Sequence, residues 1–216
     1  IIRESKQKEG FDPDETFQIP QDVLARFRCA IEQGELAQKA WNHRLKQAPL
    51  VEQNEALNRL LNPDMDSIEY PDFSGDKEVA TRDSNGKILN AIAKAIPSFI
   101  GGSADLGPSN KTELKDFGNF PKSKNIHFGI REHSMAAITN AMALYGTVIP
   151  FNATFFVFSD YLKPSVRIAA LTKIQNFFIW THDSIGVGED GPTHEPIEQI
   201  SQFRAMPGFY LWRPAD

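Results

Sequence analysis

The residues best suited to proton transfer lie close together near the end of the chain, in the sequence IWTHDSIGVGEDGPTH (179–194). This segment combines two imidazoles, three carboxylates and three glycines: His182, Asp183, Glu189, Asp190, His194, Gly186, Gly188 and Gly191. Imidazoles and carboxylates exchange protons and bind hydroxyl groups, and glycine lets the backbone approach a ligand closely. The pattern predicts a catalytic or sugar-binding loop. A metal site is the competing interpretation, but the spacing matches neither an EF-hand loop nor a His-x-x-x-His pair.

Three further segments carry chemical groups directly after predicted strands. GGSADLGPSN (101–110) combines glycines and small hydroxyls that suit a phosphate or cofactor, although the same composition occurs in ordinary turns. GIREH (129–133) opens a helix with Glu132, where a carboxylate often only compensates the helix dipole. Phe155, Phe158 and Tyr161 recur at a spacing of three, which is typical of one helical face packed into a core.

Alternating strands and helices are predicted to position these four segments. Strands are predicted at 98–102, 125–128, 148–151, 177–180 and 210–212, and helices at 88–96, 134–145, 155–171 and 197–204. Gly146 fits a helix C-terminal cap. This order predicts an α/β fold, a parallel sheet with helices on both faces. Ligands of such sheets collect at the carboxyl ends of the strands, where all four segments fall.

The first part of the chain has a different, polar and helical character. Helices are predicted from Pro20 to Ile31, from Leu36 to Leu45 and from Leu50 to Leu61, with too few large apolar side chains for a core of their own. We therefore expect residues 1–62 to be the tail of a preceding domain and 63–78, with their prolines and glycine, to be a linker. Residues 79–216 form the α/β domain. Because the sequence begins with Ile1 and not methionine, and Asp216 follows a strand-like run, we expect the chain to be a piece of a longer protein.

Composition excludes several classes of function. The 216 residues carry a net charge of −5 and no basic stripe, which argues against nucleic acid as a partner. A single cysteine, Cys29, leaves no internal disulfide and suits a reducing compartment such as the cytoplasm. No apolar run reaches about 18 residues, and no signal peptide opens the sequence, so no membrane partner is expected.

Five segments taken together resemble the pyrimidine-binding domain of transketolases. They are ATR (80–82), GGSADLGPSN, HFGIREHSMAAI, the aromatic run 155–161 and THDSIGVGEDGPTHEP, in the family's order. The helices before them resemble the end of the family's diphosphate-binding domain. The resemblance implies a thiamine diphosphate-binding fold and transfer of a two-carbon ketol unit from a ketose phosphate to an aldose phosphate in the pentose phosphate pathway. It also implies a cytoplasmic homodimer that completes each site across its interface.

The resemblance assigns the cofactor side of the site to particular residues. Glu132 would contact N1′ of the aminopyrimidine and share a proton with it, which is general acid–base work at a ring nitrogen. Phe155, Phe158 and Tyr161 would form the pyrimidine pocket, and Asp105 would lie near the cofactor. The family's GDG…N motif is absent from this sequence. The ligands of its divalent metal, Mg²⁺ or Ca²⁺, and its diphosphate site are therefore expected outside this chain.

The substrate side is implied in the same way. Arg82 and Ser109 match the groups that hold the sugar phosphate. His182 and Asp190 match residues that bind substrate hydroxyls, Asp190 being the reader of configuration at C2. His194 matches a histidine beside the reacting carbonyl that shuttles protons and also contacts the cofactor.

Two other interpretations remain open at this stage. A dihydroxyacetone synthase also accepts phosphorylated donors, so Arg82 and Ser109 do not separate it from a transketolase, whereas deoxyxylulose-phosphate synthase fits GGSADL and THDSIGVGEDG badly. The chain could also be an inactive dimerisation fragment. Retention of Glu132, His182, Asp190 and His194 favours an enzyme.

Overall fold

Helices make up the first of the two units into which the computed structural model divides, residues 1–54. The structure describes residues 1–47, 50–75 and 78–214. Helix α1 spans Ile2–Lys8, α2 spans Gln21–Gln47, and α3 spans Leu50–Leu61, ending in the second unit. The prediction of two separate helices between Pro20 and Leu45 is wrong. Gly34 lowers helix stability by about 1 kcal/mol relative to alanine, which a 27-residue helix without an internal proline tolerates.

The described side chains of residues 1–47 form no hydrophobic core. None of them is buried, and α2 leaves large apolar groups in solvent. Phe27 is 75% exposed, Ile31 61% and Trp41 51%. The packing that orders the second unit is therefore missing from the described part of the first.

A parallel sheet of four strands organises the second unit, residues 55–216. The strands are β1 (Phe99–Ser103), β2 (Asn125–His127), β3 (Ile149–Phe155) and β4 (Phe177–Thr181), in the order β2-β1-β3-β4. The helices are α4 (Thr81–Ala95), α5 (Gly107–Asn110), α6 (Glu132–Tyr145), α7 (Ser159–Thr172) and α8 (Gln199–Arg204). Every strand pair is parallel, with Gly101 beside Phe151 and Ala153 beside Ile179. The predicted α/β fold is confirmed.

Helices cover both faces of this sheet. Successive side chains of a strand point to opposite faces, and β4 shows the division directly. Phe178 and Trp180 pack against a core that includes α6, α7 and α8, whereas Ile179 packs against the core that includes α4. Gly101 fits where no side chain could, since a Cβ there would lie 2.1 Å from the Phe151 carbonyl oxygen.

The predicted fifth strand at 210–212 is wrong. Residues 209–214 are described without strand pairing, and the described sheet has four strands. Their side chains nevertheless alternate: Phe209 and Leu211 pack against the α6–α8 core, while Tyr210 and Trp212 are 81% and 84% exposed. Alternating side chains indicate an extended backbone with one buried side. A β-strand also needs a hydrogen-bonded neighbouring strand, which this segment does not have in the described sheet.

The predicted helix at 155–171 begins later than expected. Phe155 is the last residue of β3, Phe156–Phe158 form a single 3₁₀ turn, and α7 starts at Ser159. The aromatic residues therefore do not share one helical face. Elsewhere the predicted helix end is confirmed, because Gly146 adopts a left-handed conformation with φ 86° after α6.

A lysine closes the carboxyl end of α4. The Lys124 ammonium donates hydrogen bonds to the Ala93 and Ile96 carbonyl oxygens at 2.6 and 2.8 Å and lies 4.7 Å from the Phe117 ring centroid. A positive charge at the carboxyl end of a helix interacts favourably with the helix dipole. Half-burial opposes the charge and lowers the pKa of Lys124 to about 8.

Candidate functional site

The ends of β3 and β4 bring the first two candidate residues into contact. Phe155 ends β3 opposite Thr181, the last residue of β4, and His182 follows directly. His182 adopts a left-handed conformation, φ 55°, and its ring centroid lies 3.7 Å from that of Phe155. The chain reversal after β4 thus places an imidazole against the aromatic side chain that ends β3.

A row of aromatic rings continues from this contact toward solvent. Phe155 and Phe158 stack with centroids 6.0 Å apart and planes 9° from parallel. Phe158 and Tyr161 stack at 6.1 Å, and His194 meets Phe158 edge-on at 5.2 Å. Phe155 is 7% exposed and Tyr161 64%. Three residues per turn is the 3₁₀ period, so the turn between β3 and α7 aligns rings that an α-helix would spread apart.

Arg82, near the start of α4, joins the group through His182. Its Nη1 lies 2.8 Å from His182 Nε2, and its buried Nε has no hydrogen-bond partner within the described part of the chain. Burial lowers the pKa of His182, and the Arg82 guanidinium lowers it further. The negative charge of Asp190 acts in the opposite direction and raises the pKa of His182.

Two residues without a predicted role, Thr181 and Asn110, form hydrogen bonds that lead to the His182 ring. Thr181 Oγ1 lies 2.8 Å from His182 Nδ1 and donates to Asn110 Oδ1 at 2.6 Å. Asn110 Nδ2 in turn donates to Ser103 Oγ at 3.1 Å. Asn110 ends α5 and Thr181 ends β4, and their place inside two of the segments that resemble the family is the one sequence signal that points to them.

Glu132 occupies the first position of α6. Its side chain is 8% exposed, and the described residues supply no hydrogen bond or ion pair to its carboxylate. A carboxylate without a protein partner is free to accept a hydrogen bond from a ligand that carries its own donor. The structure shows no ring contact or hydrogen bond between Glu132 and the His182 group.

The remaining candidates, Asp105, Ser109 and Asp190, are exposed. Asp105, with φ 62°, lines a recess of about 290 Å³ together with Glu113 and His127. Within residues 78–214, Asp105 and Ser109 make no hydrogen bond, ion pair or ring contact with the His182 group. The structure therefore brings together one set of candidates in direct contact: Arg82, Phe155, Phe158, Tyr161, His182 and His194.

The described residues contain neither a cluster of metal-binding side chains nor a helix that could span a membrane. Among residues 1–47, 50–75 and 78–214, no three or more His, Cys, Asp or Glu side chains lie close enough together to hold a metal ion. None of the helices described there combines the length and apolar character needed to cross a membrane.

Two family models match consecutive parts of the chain. Residues 1–65 match the transketolase thiamine diphosphate binding domain, and residues 77–216 match the transketolase pyrimidine binding domain. Among curated relatives, the transketolase of Aquifex aeolicus is 42% identical over 100% of this chain and 32% of its own length. That of Bacillus subtilis is 45% identical over 98% of this chain and 33% of its own length. The chain thus spans about a third of these relatives.

Solved structures give the same result. A transketolase from Campylobacter jejuni is 62% identical, with a TM-score of 0.85, and the match covers 95% of this chain and 32% of that one. A transketolase from Pichia stipitis in complex with sedoheptulose-7-phosphate is 37% identical, with a TM-score of 0.86, over 100% of this chain and 34% of that one. The chain belongs to the transketolase family.

Proposed function

We propose that this chain supplies the pyrimidine-binding half of a transketolase active site. The complete enzyme, as we use the term below, joins the chain to the remaining two thirds of the length of its relatives. It transfers a two-carbon ketol unit from a ketose phosphate to an aldose phosphate. The observation that carries this proposal is the carboxylate of Glu132, a largely buried residue to which the described structure offers no hydrogen bond or ion pair, in the same unit as the stacked row of Phe155, Phe158 and Tyr161.

The residues present fit an aminopyrimidine. Bound thiamine diphosphate supplies the electron sink needed to break a carbon–carbon bond next to a ketone. Glu132 would hold the proton shared with the pyrimidine N1′, because its carboxylate has no competing partner in the described structure. The aromatic row would offer flat faces for offset stacking and exclude water from one side of the ring. Asp105, at its left-handed turn, is proposed to lie close to the cofactor.

The substrate side follows from charge and hydrogen-bonding capacity. Arg82 uses Nη1 on His182 and keeps further N–H groups, including the unpartnered Nε, for an anion such as a sugar phosphate. Ser109, exposed on α5, would add a hydroxyl to the same phosphate. His182 and Asp190 would bind substrate hydroxyls. His194, edge-on to Phe158, would exchange protons near the reacting carbonyl.

A homodimer is part of this proposal. Helix α6 exposes several apolar side chains: Ala137 and Ala141 are exposed, Ile138 is 48% exposed, and Tyr145 is 81% exposed. Exposed apolar side chains grouped on one element are typical of an interaction surface, and a second copy of the enzyme would bury these. The divalent metal, Mg²⁺ or Ca²⁺, would take its ligands from outside the described residues. We also propose that the enzyme is cytoplasmic.

The proposal is tested by assaying the complete enzyme for transfer between a ketose phosphate and an aldose phosphate, with and without thiamine diphosphate. We expect the sugar phosphates of two-carbon exchange to form only when the cofactor is present. Phe158→Ala, which removes the middle ring of the aromatic row, should raise the concentration of cofactor needed for half-maximal rate. Phe120→Ala is the matched control, since Phe120 is 58% exposed and outside the row. Absence of cofactor-dependent product would refute the proposal.

A further inference from the structure

One buried amide side chain hydrogen-bonds to two separate parts of the site. Gln199, the first residue of α8, is 2% exposed. Its Oε1 accepts a hydrogen bond from the Ile197 N–H at 2.9 Å, and its Nε2 donates one to Asp160 Oδ2 at 3.1 Å. A backbone N–H can only donate and an ionised carboxylate can only accept, so these two partners fix the orientation of the amide. None of the three residues has been assigned a part in the reaction above.

The two hydrogen bonds join the two sides of the contact between His194 and Phe158. Ile197 lies three positions after His194, in the segment 182–198 between β4 and α8, which we call the His194 loop. Asp160 lies in the first turn of α7, two positions after Phe158. Three residues of chain span at most about 10 Å. An anchor at Ile197 therefore also limits how far His194 can move from the Phe158 ring.

The glycines of the His194 loop explain why an anchor is needed. Gly188 and Gly191 have φ values of 91° and 74°, and glycine is the residue with the greatest backbone freedom. His194 hydrogen-bonds to the Gly191 carbonyl oxygen and to the Thr193 hydroxyl, but both belong to the same loop and move with it. The link through Gln199 instead reaches α7, which directly follows the turn that carries Phe158.

A second contact between the same two helices provides a comparison within the molecule. Lys163 Nζ donates a hydrogen bond to Gln202 Oε1, three positions further along both α7 and α8. Within the described part of the chain, the Gln202 side chain makes no hydrogen bond to the His194 loop. This contact joins α7 to α8 without holding the loop, so it distinguishes helix packing from loop anchoring.

We propose that Gln199 and Asp160 are positioning residues that hold the His194 loop against Phe158. Both act through the position of His194. When the link is broken, the loop spends more time away from the aromatic row, and the fraction of enzyme with His194 in place falls. The consequence for ketol transfer rests on the proposed function, whereas the anchoring of the loop does not.

Hydrogen–deuterium exchange of the complete enzyme, read by mass spectrometry, measures the anchoring directly. Gln199→Glu places a second carboxylate opposite Asp160, so the two side chains should separate and release the Ile197 N–H. We expect peptides from the His194 loop to exchange about tenfold faster, the size of one net hydrogen bond. Asp160→Asn/Gln199→Glu exchanges donor and acceptor at unchanged total charge and should restore the parent rate. A parent rate in Gln199→Glu, or a raised rate in the double variant, overturns the proposal.

Two further variants complete this experiment. Gln202→Glu is the matched control, because it adds the same charge to α8 opposite Lys163, and its loop should exchange at the parent rate. An equal rise in Gln202→Glu and Gln199→Glu would show that helix packing holds the loop, and overturns the proposal. If Gln199→Glu does not fold, Asp160→Ala replaces it, since Asp160 is exposed and its loss removes the same acceptor. Exchange at the parent rate in Asp160→Ala then overturns the proposal.

Steady-state kinetics of the same variants test the consequence for the reaction. At saturating thiamine diphosphate we expect Gln199→Glu to lower kcat/KM for ketol transfer about tenfold. The double variant should restore kcat/KM, and Gln202→Glu should leave it unchanged. Equal kcat/KM values for Gln199→Glu and the parent overturn the proposal. A parent enzyme without transfer activity, whose loop nevertheless exchanges as described, refutes only the proposed function.

Discussion

Replacing Glu132 by glutamine distinguishes a role of this carboxylate in catalysis from a role in stabilising the fold. Gln has nearly the same shape, so the buried position at the start of α6 stays filled. Nothing in the described structure pairs with the carboxylate, so the change to glutamine breaks no hydrogen bond or ion pair. The variant should therefore fold as well as the parent, even though it gives up a negative charge at a helix N-terminus, an effect of about 0.3–1 kcal/mol.

Turnover should respond very differently. Glutamine cannot share a proton with the pyrimidine N1′, and the described residues offer no second carboxyl in contact with Glu132 that could replace it. General acid–base contributions are typically about 10²–10⁴-fold in rate, so we expect kcat of the complete enzyme to fall by that factor.

The assay is steady-state ketol transfer by the complete enzyme at saturating thiamine diphosphate, alongside thermal unfolding. Glu69→Gln is the matched control, because Glu69 is exposed and makes no described contact; its kcat should equal that of the parent. A near-normal kcat for Glu132→Gln refutes the assignment. Equal losses of kcat and of folded protein would show that Glu132 acts only in folding.

Three further outcomes are expected. Asp190→Ala should lower kcat/KM by about ten- to a hundredfold for substrates with the favoured C2 hydroxyl, the size of one charge-assisted hydrogen bond, and leave substrates without it nearly unaffected; equal losses for both would contradict the role. The 216-residue chain by itself should show no transfer activity, and calorimetry should detect at most weak binding of thiamine diphosphate; micromolar, magnesium-dependent binding would contradict this. Because the pKa of Lys124 is lowered from 10.5 to about 8, the unfolded chain holds more protons between those values, so stability should rise with pH across that window. Urea midpoints should show this rise in the Lys122→Met control and not in Lys124→Met.

The sheet could be predicted because its strands are short apolar runs separated by helices with clear periodicity. Pairing of β1 with β3, for example, follows from the alternating order and needs no knowledge of side-chain detail. The alternation of buried and exposed side chains around Leu211 could not show whether this segment is a strand. The same alternation occurs in a paired strand and in an unpaired extended segment that packs on one side. The three-residue spacing from Phe155 to Tyr161 was ambiguous in the same way, because it fits both an α-helical face and a 3₁₀ turn.

The family resemblance named the candidate site residues one by one, but most of the contacts between them could not be predicted from the sequence. Arg82 and His182 are 100 positions apart, and only the fold places them 2.8 Å from each other. The Asn110–Thr181 hydrogen bond joins residues 71 positions apart, and neither side chain has a composition or spacing that marks it as functional. The roles assigned to Glu132, Asp190 and His194 remain predictions for the experiments above.

The left-handed backbone at His182 limits how the site can be redesigned. Only glycine adopts φ 55° without cost, asparagine, aspartate and histidine tolerate it best, and other residues lose about 1–2 kcal/mol there. A saturation library at position 182, made to broaden substrate range, would therefore be filtered by folding before it was filtered by catalysis. Its soluble members would be enriched in Gly, Asn and Asp, and β-branched side chains would be rare whatever their merit in binding. Changes of specificity are better sought at exposed positions such as Ser109, where the backbone imposes no such filter.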